Sequence, residues 1–265
     1  MDYQIGELSK LLHVSKEMIR YYEKKGIIDS KRNEENNYRI YDIWEVFKFI
    51  EMMQYQEMGI SAKETVQIKK DHYLNNLKRN LIRYEEQLKC QAEYVLLSQD
   101  RVKELIERTQ CCKMNENNFW VRKISKQYRF HLVSSKNEQY KKIDMQEDIS
   151  KALFSLNVVS FIDPLVVFGK EQEWFYVLDE RYEKCLSQDI LDKAEIQEEQ
   201  YCLCSVIDMG KMGDFSEKCL NEMKKYIDEK KYIQQGKPTG IILGRGYEEE
   251  RFARYMEIRV PVQYV

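Results

Sequence analysis

Three prolines, ten glycines and three histidines are all that this 265-residue chain holds of those types. So few chain breakers exclude a loop-dominated or low-complexity chain and favour long helices and strands. The histidines (His13, His72, His131) stand too far apart to form a zinc or Ser-His-Asp signature. Gly240, Gly244 and Gly246 are too sparse for a phosphate-cradling loop and mark a turn. No apolar run approaches the roughly 18–20 residues needed to cross a bilayer, and Met1-Asp2-Tyr3-Gln4 lacks the basic and apolar blocks of a signal peptide. A cytoplasmic protein with no membrane partner is expected. Seven cysteines, an odd number scattered along the chain, argue against a disulfide framework and fit reduced thiols used in packing.

Hydrophobic residues make up 43% and charged residues 33% of the chain. That balance suits a soluble, helix-rich protein with more than one core, because single domains commonly run to about 100–150 residues. The net charge of −2 gives no overall bias toward a polyanion, but residues 10–39 hold eight basic side chains against five acidic ones. Such a local excess matters only if the fold gathers it on one face.

Ile5, Leu8, Leu11 and Leu12 recur at helical spacing, and Ser15 can cap a second helix over 16–25. Met18, Ile19 and Tyr22 form its apolar stripe, which leaves Lys16, Glu17, Arg20, Tyr21 and Lys24 on or near the other side. Gly26 fits a left-handed C-cap. Two short helices joined in this way are the geometry that lays a recognition helix in the major groove, and equally that of a surface helical hairpin. Asn36-Asn37 followed by Tyr38-Arg39-Ile40-Tyr41 reads as a small β-wing. Asp42 then caps a helix whose broad apolar face is expected from Trp44, Val46, Phe47, Phe49, Ile50, Met53 and Tyr55, with Gly59-Ile60-Ser61 leading to the next.

Tyr3-Gln4-Ile5-Gly6-Glu7-Leu8, Val14-Ser15, Ile19-Arg20-Tyr21-Tyr22-Glu23-Lys24-Lys25-Gly26-Ile27-Ile28, Asn36-Asn37-Tyr38-Arg39-Ile40-Tyr41 and Met58-Gly59-Ile60-Ser61 together resemble the N-terminal domain of the MerR family over about the first 70 residues. The sequence departs from the family at the wing, with Asn36-Asn37 in place of Asn-Gly, and lacks the proline usual near Asp29. The resemblance implies a homodimeric activator on pseudo-palindromic, double-stranded promoter DNA. It would bend and untwist an overlong spacer so that RNA polymerase engages both elements, with part of its specificity in deformation energy. Chemistry then assigns roles. Ser15 caps the recognition helix, Arg20 suits guanine edges or phosphate oxygens, and Lys16 and Glu17 lie in the first turn nearest the bases. Tyr21, Tyr22, Tyr38 and Arg39 are expected at phosphates, except that Tyr22 sits on the apolar stripe and is the better candidate for the core.

Leu77, Leu81, Tyr84, Leu88, Gln91, Val95, Ser98, Val102 and Leu105 follow at alternating steps of four and three, with no glycine or proline between them. This is a heptad seam about 42 Å long, in which Gln91 and Ser98 are polar positions that set register. A helix packed on its own chain's domain would show a similar pattern; the MerR resemblance implies an antiparallel coiled coil between two subunits. Cys111 and Cys112 lie just beyond, where metal sensors of the family carry ligands. No further thiolate set converges there, so no metal and no cofactor are expected, and a metal- or redox-sensing regulator is the lesser alternative.

The remaining 145 or so residues are long enough for a receptor. Extended segments at 119–133, a helix near 145–156 and strands at 158–168 and 174–181 are followed by a β-rich stretch at 201–209, a helix over 215–230 and strands at 239–244 and 253–262. Two successive β-α-β-β units predict one antiparallel sheet with two helices on a face and a ligand cleft between the halves. The fold class is therefore α+β, with a DNA-binding domain at 1–72, a dimerisation helix at 73–113 and an effector domain at 118–265.

Met209-Gly210, Asp214-Phe215, Tyr226-Ile227, Gly236-Lys237-Pro238 and Tyr255-Met256-Glu257-Ile258-Arg259-Val260-Pro261-Val262 resemble the GyrI-like effector-binding domain of BmrR-type multidrug regulators. The resemblance implies a pocket in which Glu257 faces a lipophilic, cationic aromatic effector. Alternation places Tyr255, Glu257 and Arg259 on one face of their strand. Trp120, Phe168, Trp174, Tyr176 and Tyr201 are candidate walls offering cation–π contacts, and the core is the alternative place for each. Arg259 could instead neutralise Glu257, which would favour a neutral or zwitterionic ligand. Some GyrI-like domains hydrolyse small substrates, so Glu257 as a general base in a hydrolase fused to a DNA-binding domain is a further alternative, though no catalytic signature accompanies it.

Overall fold

The computed structural model describes residues 2–70, 72–114, 118–136, 139–210 and 220–263. The chain forms two compact units, Met1–Glu93 and Tyr94–Val265.

In the first unit, helix α1 (Ile5–Leu11) and helix α2 (Lys16–Lys24) are joined by a turn in which His13 takes a φ of 52°. Ser15 Oγ accepts the Met18 N–H at 3.1 Å, satisfying one orphan donor of α2, and Gly26 at φ 72° closes the helix. Strands β1 (Tyr3–Gln4), β2 (Lys31–Arg32) and β3 (Arg39–Tyr41) pair antiparallel in the order β1-β3-β2. The wing turns at Asn37, whose φ of 57° is one that asparagine tolerates. Asp42 Oδ1 accepts the Trp44 and Glu45 N–H groups to start helix α3 (Ile43–Glu57). Ser61 and Glu64 exchange bonds as a capping box at the head of helix α4 (Ala62–Lys70). Leu8, Ile19, Tyr22, Ile28, Tyr41, Phe49 and Met52 fill the core.

The apolar face of α3 is narrower than its composition predicts. Val46, Phe49, Met52 and Tyr55 are buried, one stripe at three-residue steps. Trp44 and Phe47 fall on the adjacent stripe and stay exposed at 69% and 52%, packed edge-to-face on each other at 5.8 Å.

Helix α5 (Tyr73–Met114) is 42 residues long and spans the division between the units. Its first turns bring Tyr73, Leu77 and Tyr84 against Tyr55, Ile60 and Ile68 in the first unit. Its later turns bring Tyr94 and Leu97 against the second unit's core.

That second unit is one antiparallel sheet. Its strands are β4 (Trp120–Ile124), β5 (Gln127–Lys136), β6 (Gln139–Tyr140), β7 (Ile162–Val167), β8 (Gln172–Asp179), β9 (Glu195–Gln197), β10 (Gln200–Asp208), β11 (Ile233–Gln234), β12 (Thr239–Glu248) and β13 (Arg251–Gln263). The order is β4-β10-β13-β12-β7-β8-β5-β6, with β9 beside β5 and β11 beside β13. With helices α6 (Glu147–Leu153), α7 (Gln188–Leu191) and α8 (Asn221–Lys230), the chain runs β5-α6-β7-β8 and then β10-α8-β12-β13. The strand order is symmetric about the β12–β7 pair, as expected for a duplicated β-α-β-β unit. The strand expected at 158–168 opens instead with a 3-10 turn, Val159–Phe161. Asp214 and Phe215 lie outside the described residues.

Strand register divides the side chains between two faces. Met256, Ile258 and Val260 join Leu203, Val166 and Trp174 under Leu220, Met223 and Ile227, while Phe130, Leu178 and Ile162 pack under Ile149 and Leu153 of α6. Both α6 and α8 therefore cover one face. The other face carries Glu257, Arg259, Arg122, Asp163 and Arg129.

Candidate functional site

On the first unit, Lys16, Arg20 and Lys24 are exposed along α2 at four-residue intervals, which places them on one helical stripe. Arg20, Lys24 and Arg39 of the wing border one depression with Glu23. Glu23 accepts Arg39 Nε at 3.2 Å and also the Ser30 hydroxyl, which fixes the wing arginine beside the helix. Arg20 pairs with Glu17 at 4.0 Å, with both side chains largely exposed. Tyr21 is 47% exposed with Lys25 Nζ 5.5 Å from its ring, and Tyr38 is 63% exposed. Tyr22 is in the core, its hydroxyl donating to Gln56 Oε1 at 2.6 Å, so its side chain is not part of this surface. The surface offers cations and phenol groups in the pattern that binds phosphates and base edges.

On the second unit, the C-terminal turns of α5 lie over the Glu257 face. Arg101 and Arg108 reach Asp163 of β7 at 2.7 Å each, and Glu104 ties the same arginines together. Burial alone would raise the Asp163 carboxyl, but Arg108 and Arg101 overcome it and hold the group below the usual carboxylate range. Between helix and sheet is a cavity of 330 Å³ lined by Arg101, Arg108, Arg122, Asp163, Arg181 and Arg259 and floored by Ile124, Phe161 and Val177. Two of these arginines are held by Glu257. Its Oε1 accepts Arg259 Nε at 2.5 Å and Arg122 Nη2 at 2.5 Å. Burial would raise Glu257 too, yet Arg259 and Arg122 together leave it below its usual value.

The five expected aromatic walls do not gather around Glu257. Trp120 shares its face, through the register Trp120–Cys204–Arg259. Phe168 and Trp174 belong to the core beneath α8. Tyr176 packs edge-to-face on Phe154 at 5.4 Å on the helix side, and Tyr201 points away from the Cys202 and Cys204 face, 53% exposed. Tyr255 lines a second cavity of 190 Å³ with Thr109, Cys112, Gly244 and Tyr247. Arg122, Asp163, Arg101 and Arg108 were not marked by any sequence pattern. A basic residue two positions after Trp120 on a strand was the one available hint.

Cys202 and Cys204 are buried on the Glu257 face, where burial pushes their thiols up to about 11 and about 12. Cys112 is buried and Cys111 half-buried. Among the described residues no group of three His, Cys, Asp or Glu side chains could hold a metal ion, and no helix is long and apolar enough to cross a membrane.

Residues 4–41 match the model of the MerR family regulatory protein. Over that segment the chain is similar to MerR family regulatory proteins. Over 64 residues it is 38% identical to the mercuric resistance operon regulatory protein of Bacillus cereus, a match covering 24% of this chain and 48% of that protein. The chain thus spans about half the length of that curated relative. Among solved structures, the EcmrR–DNA complex in its RNA polymerase open complex covers 99% of this chain and 100% of its own at 15% identity and a TM-score of 0.39. A hydrolase from Listeria innocua covers 57% of this chain and 94% of its own at 12% identity and a TM-score of 0.35. The matched segment holds every one of the expected contact residues, from Ser15 to Arg39. The residues expected to meet an effector lie in the second unit.

Beyond the first four helices, α5 exposes the heptad positions Leu81, Leu88, Val95, Val102 and Leu105 at 38–63%. Leu77 and Tyr84 are instead half-buried on the chain's own first unit. Gln91 is exposed and Ser98 half-buried.

Proposed function

We propose that the protein is a homodimeric, cytoplasmic transcription regulator that grips pseudo-palindromic promoter DNA with two MerR-type heads and alters its hold when a small molecule enters the GyrI-like domain. The heads take residues 1–72, α5 joins two copies over 73–113, and residues 118–265 receive the effector. As in the family it resembles, deformation of the promoter would bring RNA polymerase into register, making the protein an activator. The exposed Lys16, Arg20 and Lys24 stripe with Arg39 beside it carries this reading. The GyrI-like resemblance brings a lipophilic aromatic cation as the effector, and Glu257 as the group that meets it.

Hydrolysis by the same domain is the weaker reading. Glu257 is held by two guanidiniums below its usual range, which makes it a poor general base.

Footprinting of the intact protein on the region upstream of its own gene tests the DNA assignment. Arg20→Ala should weaken protection about tenfold or more while the dimer mass is unchanged, since the Arg20 side chain is 58% exposed. An unaltered footprint would reject it.

A further inference from the structure

The charges around the cavity are largely balanced in pairs. Arg101 and Arg108 face Asp163 and Glu104, Arg181 faces Asp179, and Lys123 faces Glu199. One group is left with an excess of positive charge. Arg259 and Arg122 share a single carboxylate oxygen of Glu257. Arg259 is 6% exposed at its side chain, lines the cavity, and keeps Nη1 buried without a hydrogen-bond partner among the described residues. Arg129, on the same face, has a buried Nε likewise without a partner among them, and burial lowers its proton affinity. A buried guanidinium donor left unsatisfied costs free energy that an incoming acceptor would recover.

We propose that this cavity takes a small organic carboxylate, its head on the Arg259 and Arg122 guanidiniums and its apolar body on Ile124, Phe161 and Val177. The planar fork of arginine matches a carboxylate in two parallel bonds. A cation entering here would have to part Glu257 from two guanidiniums. The rings Phe168, Trp174 and Tyr176 that would have caged it pack on the opposite face of the sheet. The inference rests on the effector reading above and gives the effector the opposite charge to the one implied by family resemblance.

Titration calorimetry on the intact protein with benzoate and, separately, tetraphenylphosphonium tests it. Benzoate should bind and tetraphenylphosphonium should not. Arg122→Gln, at a side chain 45% exposed and so compatible with folding, should weaken benzoate about tenfold or more. Glu257→Gln keeps the shape but frees both guanidiniums, so it should tighten benzoate, whereas a cation receptor would lose its ligand. Absence of benzoate binding, or weaker benzoate binding in Glu257→Gln, overturns the inference. Tetraphenylphosphonium bound by the wild type and lost in Glu257→Gln also overturns it while leaving the effector domain standing; the Arg20 footprint is independent of every arm.

Discussion

Gly240 stands where β12 passes beneath the core side chains of β13. A Cβ there would lie 2.4 Å from Met256 Sδ and 3.2 Å from Phe168 Cε2. Met256 can shift its thioether, but Phe168 is only 2% exposed and has little room. Gly240→Ala should therefore cost about 1–3 kcal/mol by overpacking, read as a lower denaturation midpoint. An unchanged midpoint would mean that the α8 face is looser than its burial indicates. Glu257 shows how neighbours decide what a single side chain does. The same carboxylate that alone would attract a cation is, beside Arg122 and Arg259, already satisfied.

Helix α5 serves three packing environments along its length. Near its start Leu77 and Tyr84 are committed to the first unit, and near its end Arg101 and Arg108 are committed to Asp163. Between and around these, Leu88, Val95 and Val102 repeat at seven-residue intervals and are 57%, 63% and 55% exposed. Such a stripe is what a partner helix would bury. Leu88→Asp should leave the chain folded, because Leu88 has little burial to lose, but split the dimer. Light scattering would show monomer mass, and operator affinity would fall with it. A dimer of full mass would place the subunit contact elsewhere.

Across the second unit, stability depends on carboxylates kept ionised under α5. Asp163 and Glu257 both sit below their usual values when folded, through Arg108 and Arg101 in one case and Arg259 and Arg122 in the other. The stability they add is fully present above the unfolded values, about 3.9 and about 4.3, and is lost as pH falls through the folded ones. Melting temperature should be flat from neutral pH to about 5 and fall below about 4. Asp163→Asn should flatten that acid limb, and a limb unchanged by this variant would assign acid sensitivity to other groups.

What neighbouring residues settle among themselves was legible in the sequence. The Ser15 and Asp42 caps, the turns at Gly26 and Asn37, the α2 stripe that buries Ile19 and Tyr22 and the repeated β-α-β-β order all depend on residues close together along the chain. Alternation correctly paired Tyr255, Glu257 and Arg259 on one side of β13. Only the tertiary structure decided which strands share that side with them. The distant partner of Glu257 comes from β4 and those of Asp163 from α5, with Arg122 lying 135 residues before Glu257 and Arg101 62 residues before Asp163. A one-residue change of register moves a side chain to the other face, so the positions of Phe168, Trp174 and Tyr176 follow from strand pairing and not from their aromatic character. The charge of the cavity beneath α5 is for the same reason a property of the assembled sheet and helix. No single segment carries it.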